Sequence, residues 1–344
     1  MPKISVCIPA YNRANVLPQL LDSIFNQNYS DYEVVICEDL SPQREHISKI
    51  VENFMIQYPG RIKYFENQEN IGYDANYRKL FDLAQGEYCF FMGNDDLLCK
   101  EALETVAHTL EKYKNIGVII RSYADFHDDP NNINQIYRYF ETEICMPPGA
   151  EAICTAFRRS VIGSGMVYHR QSAIDCHTDK FDGSLLYQLH VVAQTLCKLK
   201  VVFVPKVTVL YRLGGVPDFG NAKAERGKFT PAEQTIDSSI NFMKGMLDIA
   251  KNTENTTGLK VYDAIVSDIT NYSFPILAIQ GNREFLEFLR YVHRLINIGL
   301  GKKPIFYIYT GLILILGPQR LNSLIRLIKQ KIGYTPRLGR IKNL

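Results

Sequence analysis

At 344 residues, 22% charged and 46% hydrophobic, the chain has the composition of a folded enzyme, which excludes a disordered or fibrous protein; its length calls for one large domain with an appendage. Eight cysteines without a C-x-x-C pair exclude a disulfide scaffold and a structural zinc site and point to reduced thiols. The net charge of +3 hides an asymmetry: residues 288–344 hold eleven Lys and Arg and no acid, leaving 28 basic against 36 acidic side chains before them, and no nucleic-acid partner is expected.

Met1-Pro2-Lys3-Ile4 runs straight into a buried-strand pattern over residues 3–8, without the regions of a signal peptide, so a cytoplasmic location is expected. Val16, Leu17, Leu20, Leu21 and Ile24 then fall at helical spacing within residues 14–26. The alternation continues with strands over 32–37, 61–65, 87–92 and 117–120, and helices over 47–58, 73–84 and 100–113. This order predicts an α/β fold, a mostly parallel sheet with helices on both faces.

Beyond Asp128 the pattern turns irregular, with turn clusters at 128–132 and 147–149, strands predicted over 166–169 and 201–211, and a helix over 183–199. Residues 214–220 read as a flexible loop, and Thr230-Pro231-Ala232-Glu233 as the start of a helix. The expected division is a catalytic domain over 1–220, with halves meeting at about 127–128, and a helical region over 221–344.

Ligands of open parallel sheets bind at the carboxyl ends of strands, so the polar residues just past each strand are the candidates. Pro9-Ala10-Tyr11-Asn12-Arg13 follows the first strand, Glu38-Asp39 the second, residues 67–76 the third and Gly93-Asn94-Asp95-Asp96 the fourth. Asp39 is equally readable as a helix cap. Asp95 and Asp96, adjacent at a strand end, repel each other unless a cation or donors compensate. One of them caps the next helix, or the pair holds Mg²⁺ or Mn²⁺, ions that typically bind a substrate diphosphate. No G-x-x-x-x-G-K-[ST] occurs and no G-x-G-x-x-G follows the first strand, which counts against a P-loop ATPase and a dinucleotide dehydrogenase.

The ordered set Ile8-Pro-Ala-Tyr-Asn12, Glu38-Asp39, Asn70-Ile-Gly72 with Asn76, Gly86-Glu-Tyr88 and Phe91-Met-Gly-Asn-Asp-Asp-Leu97 resembles the family 2 glycosyltransferases of the GT-A, Rossmann-like fold, over roughly residues 3–215. The resemblance implies a nucleotide site at Pro9, Tyr11, Asn12, Arg13, Asp39, Asn70, Asn76 and Asp95, with Tyr11 and Asp39 on the base. It also implies a metal, Mn²⁺ or Mg²⁺, on Asp95 and Asp96. The family's Asp-x-Asp has Gly93 at its first acidic position here, which leaves open which of the two ligates the metal. An inverting transfer needs a carboxylate to take the acceptor proton. Asp175, Asp179 and Asp182 are candidates; Asp182 fits the position best, at the start of a predicted helix that it would also cap. Ser164, His190 and Arg212 are candidates for acceptor or diphosphate contacts, against a small-residue turn, a packed histidine and a surface arginine.

The implied function is transfer of a sugar, expected from a UDP donor, to a glycan or lipid-linked glycan in surface polysaccharide synthesis. The alternatives are a sugar nucleotidyltransferase, whose usual glycine-rich first loop is missing, and a degenerate membrane-associated scaffold. In the tail, residues 305–316 are apolar except for Thr310 and Gly311, too short a run for the about 20 residues of a spanning helix. With Leu321, Leu324, Ile325, Ile328 and Ile332 following among basic residues, the tail is expected to attach the protein peripherally to the anionic inner face of the cell membrane. Packing of these helices on the catalytic domain, or an interface in a homo-oligomer, is the other reading.

Overall fold

The structure, a computed structural model, describes residues 2–215 and 217–332; the last basic residues of the tail, Arg337, Arg340 and Lys342, lie outside them. One ten-stranded sheet organises the molecule. Its strands are β1 (Ile4–Ala10), β2 (Tyr32–Glu38), β3 (Ile62–Glu66), β4 (Tyr88–Phe91), β5 (Leu97–Leu98), β6 (Ile116–Phe126), β7 (Ile133–Tyr137), β8 (Ile144–Met146), β9 (Val167–His169) and β10 (Lys200–Arg212). The order is β3-β2-β1-β4-β9-β6-β10-β5, with β7 on β6 and β8 on β10.

The first four strands pair in parallel, as their alternation with helices requires. Beyond β4 the sheet is mixed: β9 inserts antiparallel between β4 and β6, while β6 and β10 run parallel. The register of β10 on β6 slips between Phe203 and Val207, where Pro205 has no N–H to give to a ladder.

Apolar layers cover both sheet faces. Ile4, Val6 and Ile8 pack with Leu17, Leu20, Ile24, Val51 and Leu103 on one side. On the other, Cys7, Val35 and Phe91 pack with Tyr77, Leu80, Phe81 and Val191, and this layer continues without a break into Ile240, Ile269, Tyr291, Phe306 and Leu321. The helices after residue 235 therefore share a core with the sheet. The helix expected from Thr230 starts instead at Ile236, capped by the Thr235 hydroxyl, because Ala232 adopts a positive φ of 62° that no helix accommodates.

The helix expected over 183–199 spans only Tyr187–Thr195, and Asp182 does not cap it. Gly183 and Leu185 both have positive φ, winding residues 183–186 into a turn. The cap comes from a different helix, Tyr73–Leu83: the buried carboxylate of Asp74 accepts from the amides of Ser184, Leu185, Leu186 and Tyr187 at 2.8–2.9 Å. These are the orphan donors of a helix start, here satisfied across the fold rather than locally. Removing the carboxylate in Asp74→Ala leaves them without an acceptor and is expected to cost about 3 kcal/mol in urea unfolding. Asp74→Asn, which keeps one acceptor oxygen, should cost less. A loss below about 1 kcal/mol for Asp74→Ala would mean that the turn stands without it.

Candidate active site

The carboxyl ends of β1, β2 and β4 open into a cleft of two adjoining chambers. The smaller, about 130 Å³, is lined by Pro9, Tyr11, Arg13, Asp39, Asn70 and Asn76 together with Gly72, Tyr73, Asp218, Phe219 and Glu225. The larger, about 370 Å³, shares Pro9, Arg13, Tyr73, Gly93 and Phe219 with it and adds Asp95, Asp96, Ser164, Gln188, Tyr211 and Arg212.

Local chain chemistry explains how the smaller chamber forms. After β1, Asn12 and Arg13 both take positive φ, 54° and 62°, and Asn94 pins this turn by donating to the carbonyls of Tyr11 and Asn12. Asn12 does not line either chamber; its side-chain oxygen is buried without a partner. The acidic pair after β2 divides its work. Glu38 is wholly buried and takes the amides of Leu40 and Ser41 and the guanidinium of Arg44, so it shapes the turn. Asp39 faces the chamber and accepts from Asn67 Nδ2 and the amides of Ile71 and Gly72 at 2.7–3.0 Å. Burial raises its pKa, against the pull of those donors. Asn76 completes the rim by donating to the Cys37 carbonyl.

A segment from far along the chain closes this chamber. Glu225, buried, accepts from the amides of Tyr73 and Gly220 at 2.9 and 2.8 Å, and Phe219 meets the Tyr73 ring edge-on at 5.8 Å. Gly72 has a φ of +87°, and a Cβ there would lie 2.9 Å from Glu225 Oε1 and from Ala222 Cβ, so only glycine lets the two segments meet. Asp218, Phe219 and Glu225 were not found from sequence. They stand in a stretch without periodicity that reads as a plain loop.

Asp95 and Asp96 line the larger chamber, next to Gly93 and Arg13, which both chambers share. Asp95 Oδ2 pairs with Arg13 Nη1 at 3.0 Å. Asp96 accepts the Arg212 amide at 2.9 Å through Oδ1 and the Ser164 hydroxyl through Oδ2, and Ser164 Oγ in turn accepts the Gly93 amide. The Arg212 side chain donates to the Asp95 carbonyl at 2.9 Å and lies over the Phe126 ring. It is thus part of the acidic site, not a surface arginine. Burial, and then the Asp95 charge, push Asp96 up to about 7; burial also raises Asp95, which Arg13 opposes.

Two expected site residues stand elsewhere. Both oxygens of Asp182 are held by Arg78, at 2.6 and 2.9 Å, and neither chamber is lined by it. His190 is packed between Phe181 and Tyr187, with Nε2 2.8 Å from the Cys176 carbonyl; its place two helical turns along does not bring it to the cleft.

Residues 5–165 match the model of glycosyl transferase family 2. Over that stretch the chain is similar to the family 2 glycosyltransferases. It is 34% identical over 113 residues to the abequosyltransferase RfbV of Salmonella typhimurium, covering 33% of this chain and 34% of that protein. It is 36% identical over 107 residues to the GalNAc(5)-diNAcBac-PP-undecaprenol beta-1,3-glucosyltransferase of Campylobacter jejuni, covering 31% of this chain and 34% of that one. The alignments thus span about a third of these curated relatives. The fold is that of S. aureus TarS 1–349 in complex with UDP-GlcNAc, with a TM-score of 0.59 at 14% identity over 99% of this chain and 95% of that one. The mannosyltransferase PcManGT of Pyrobaculum calidifontis, in complex with GDP-Man and Mn²⁺, gives 0.54 at 15% identity over 97% and 88%. The GT-A fold is thereby shown.

The strained electrostatics at Asp96 have a measurable consequence. Between the ordinary carboxylate value of 3.8 and about 7, folded Asp96 keeps a proton that the unfolded chain has released, so in metal-free buffer this group lowers stability as pH rises through that window. Asp96→Asn keeps an acceptor for the Arg212 amide and carries no charge. Urea titrations below and above the window are expected to show a smaller fall with pH in Asp96→Asn than in wild type; parallel falls would contradict the burial argument.

Proposed function

We propose that the chain is a metal-dependent, inverting glycosyltransferase that moves a sugar from a nucleoside-diphosphate donor, a UDP-sugar, to a hydroxyl of a glycan or lipid-linked glycan in the synthesis of a surface polysaccharide. The observation that carries this reading is the pair Asp95–Asp96 in the larger chamber, beside the Gly93 and Arg13 that it shares with the smaller one.

The pair fits a divalent cation. Two hard carboxylates stand side by side, and a Cβ built on Gly93 would lie 2.9 Å from Asp96 Oδ2, 3.0 Å from Ser164 Oγ and 3.4 Å from Asp95 Oδ1, so the glycine is what lets these oxygens close on one place. Asp95 and Asp96 would hold Mn²⁺ or Mg²⁺, which when bound supplies positive charge to the departing diphosphate. That the PcManGT structure contains Mn²⁺ supports this choice.

The chain's own residues do the rest. Asp39 and Tyr11 take the base in the smaller chamber, with Asn70 and Asn76 framing it, and Phe219 shuts it from water. Arg13, already paired with Asp95, and Arg212 present cations to the phosphates. The acceptor enters the larger chamber, past Ser164 and Gln188. Among the described residues, the carboxylates lining this chamber are Asp95 and Asp96, the two that would hold the cation. The inverting course is what the resemblance to family 2 implies. A lipid-linked acceptor is supported by the undecaprenol named for the Campylobacter jejuni relative.

UDP release from a panel of UDP-sugars, with and without Mn²⁺, tests the reading. Wild type is expected to hydrolyse or transfer at least one of them in a Mn²⁺-dependent manner, and Asp95→Asn/Asp96→Asn to lose cation-dependent nucleotide binding while remaining folded. Unchanged affinity in that double variant would sink the assignment. Asp182→Asn, assayed alongside, should lose stability through its Arg78 pair and keep most of its rate per folded molecule; a rate lower by orders of magnitude at unchanged stability would restore Asp182 as the proton acceptor.

A further inference from the structure

Among the described residues, the cleft is lined by none beyond Phe242, yet the part that follows is strongly biased in composition. Residues 288–344 hold eleven basic side chains and no acidic one. Within them, the helix Pro304–Leu316 turns one face inward through Phe306, Thr310 and Ile313, all buried. Its other face carries Tyr307, Ile308, Leu314 and Ile315 into solvent, with Ile308 54% and Ile315 79% exposed. At 100° per residue these four and Gly311 form one stripe, and no polar side chain interrupts it.

The next helix, Pro318–Ile332, departs at a bend of 119° and repeats the arrangement. Leu321 is buried, while Leu324, Leu327 and Ile328 are exposed, with Arg320 and Lys331 at the two ends of the same stripe. Lys302 and Lys303 stand exposed at the start of the first helix. Exposed aliphatic rows of this kind mark an interaction surface.

No single helix among the described residues is long and apolar enough to cross a membrane. The helix Pro304–Leu316 has 13 residues, about 20 Å at 1.5 Å per residue, against a hydrocarbon core of about 30 Å, and one of its faces is fixed to the protein. A second copy would bring an equally basic surface against this one, which charge opposes. We propose that this surface docks the protein on an anionic lipid bilayer, the helix Pro304–Leu316 lying in the plane of the interface with Ile308 and Ile315 at the acyl boundary and Lys302, Lys303 and Arg320 among the headgroups. The proposal stands independently of the chemistry in the cleft.

Sedimentation of the full chain with vesicles of phosphatidylcholine alone, or mixed with phosphatidylglycerol, tests it. The protein is expected to pellet with the mixed vesicles only, and less so as salt rises. Ile308→Ser/Ile315→Ser and Lys302→Glu/Lys303→Glu are each expected to weaken that binding by about tenfold or more, with melting temperature and UDP affinity unchanged. Retention of UDP binding separates failure here from failure of the site. Three results would overturn the proposal: wild type staying in the supernatant at low salt, variants binding like wild type, or a wild-type dimer in gel filtration that Ile308→Ser/Ile315→Ser splits to monomer without any vesicle binding.

Discussion

The adjacent carboxylates of Asp95 and Asp96 repel each other in a buried setting, and the chain surrounds them with groups that offset the repulsion only in part. Arg13 takes one oxygen of Asp95, the Arg212 amide and the Ser164 hydroxyl take those of Asp96, and the Arg212 guanidinium adds charge from the side. Burial first, and then the Asp95 charge, still push Asp96 up to about 7. A site built so that its own charges are under-compensated holds back stability that a bound cation can return, the usual relation between a functional centre and the fold carrying it. The resident groups come from four places: the turn after β1, the end of β4, the turn before β9 and the end of β10. The mixed half of the sheet is what brings the last two to the first two.

The helix Tyr73–Leu83 is the second organising element, because its first two turns serve different neighbours. The Tyr73 amide holds Glu225 and so the closing segment; Asp74 caps the helix Tyr187–Thr195; Asn76 ties back to β2; Arg78 clasps Asp182. The two chambers are thereby fixed to one rigid rod. Gln188, one residue into the capped helix, reaches the larger chamber as a result.

Much of the donor half was legible in the sequence, because it obeys local rules. Apolar runs of strand length alternate with helical spacing through β4, and the polar residues that follow each run fall on one rim for topological reasons. What escaped depends on distance along the chain. Asp182 looks like an N-cap because capping is read from the next few residues, whereas the real cap, Asp74, is 110 residues from Ser184. Phe219 and Glu225 contribute through a segment whose Glu225 carboxylate accepts the amides of Tyr73 and Gly220, and such a segment has no periodicity to detect. The two-residue β5 and three-residue β8 are too short to show alternation, and nothing in residues 166–169 states that β9 runs antiparallel. The positive φ of Ala232 and Leu185, which stopped two helices from starting where expected, is imposed by tertiary packing on residues that locally favour helix.

A divalent cation held by Asp95 and Asp96 would meet the donor diphosphate beside Gly93. Gly93→Ala tests this without altering any charge: φ at Gly93 is not in the left-handed region, so alanine suits the backbone, and its methyl group presses on Asp96 Oδ2, Ser164 Oγ and Asp95 Oδ1. Calorimetric titration of UDP into wild type and Gly93→Ala, each with and without Mn²⁺, reads the outcome directly. Mn²⁺-enhanced binding is expected in wild type and expected to be lost in a folded Gly93→Ala protein; equal Mn²⁺-dependent affinity in the two would contradict a cation site at Asp95 and Asp96.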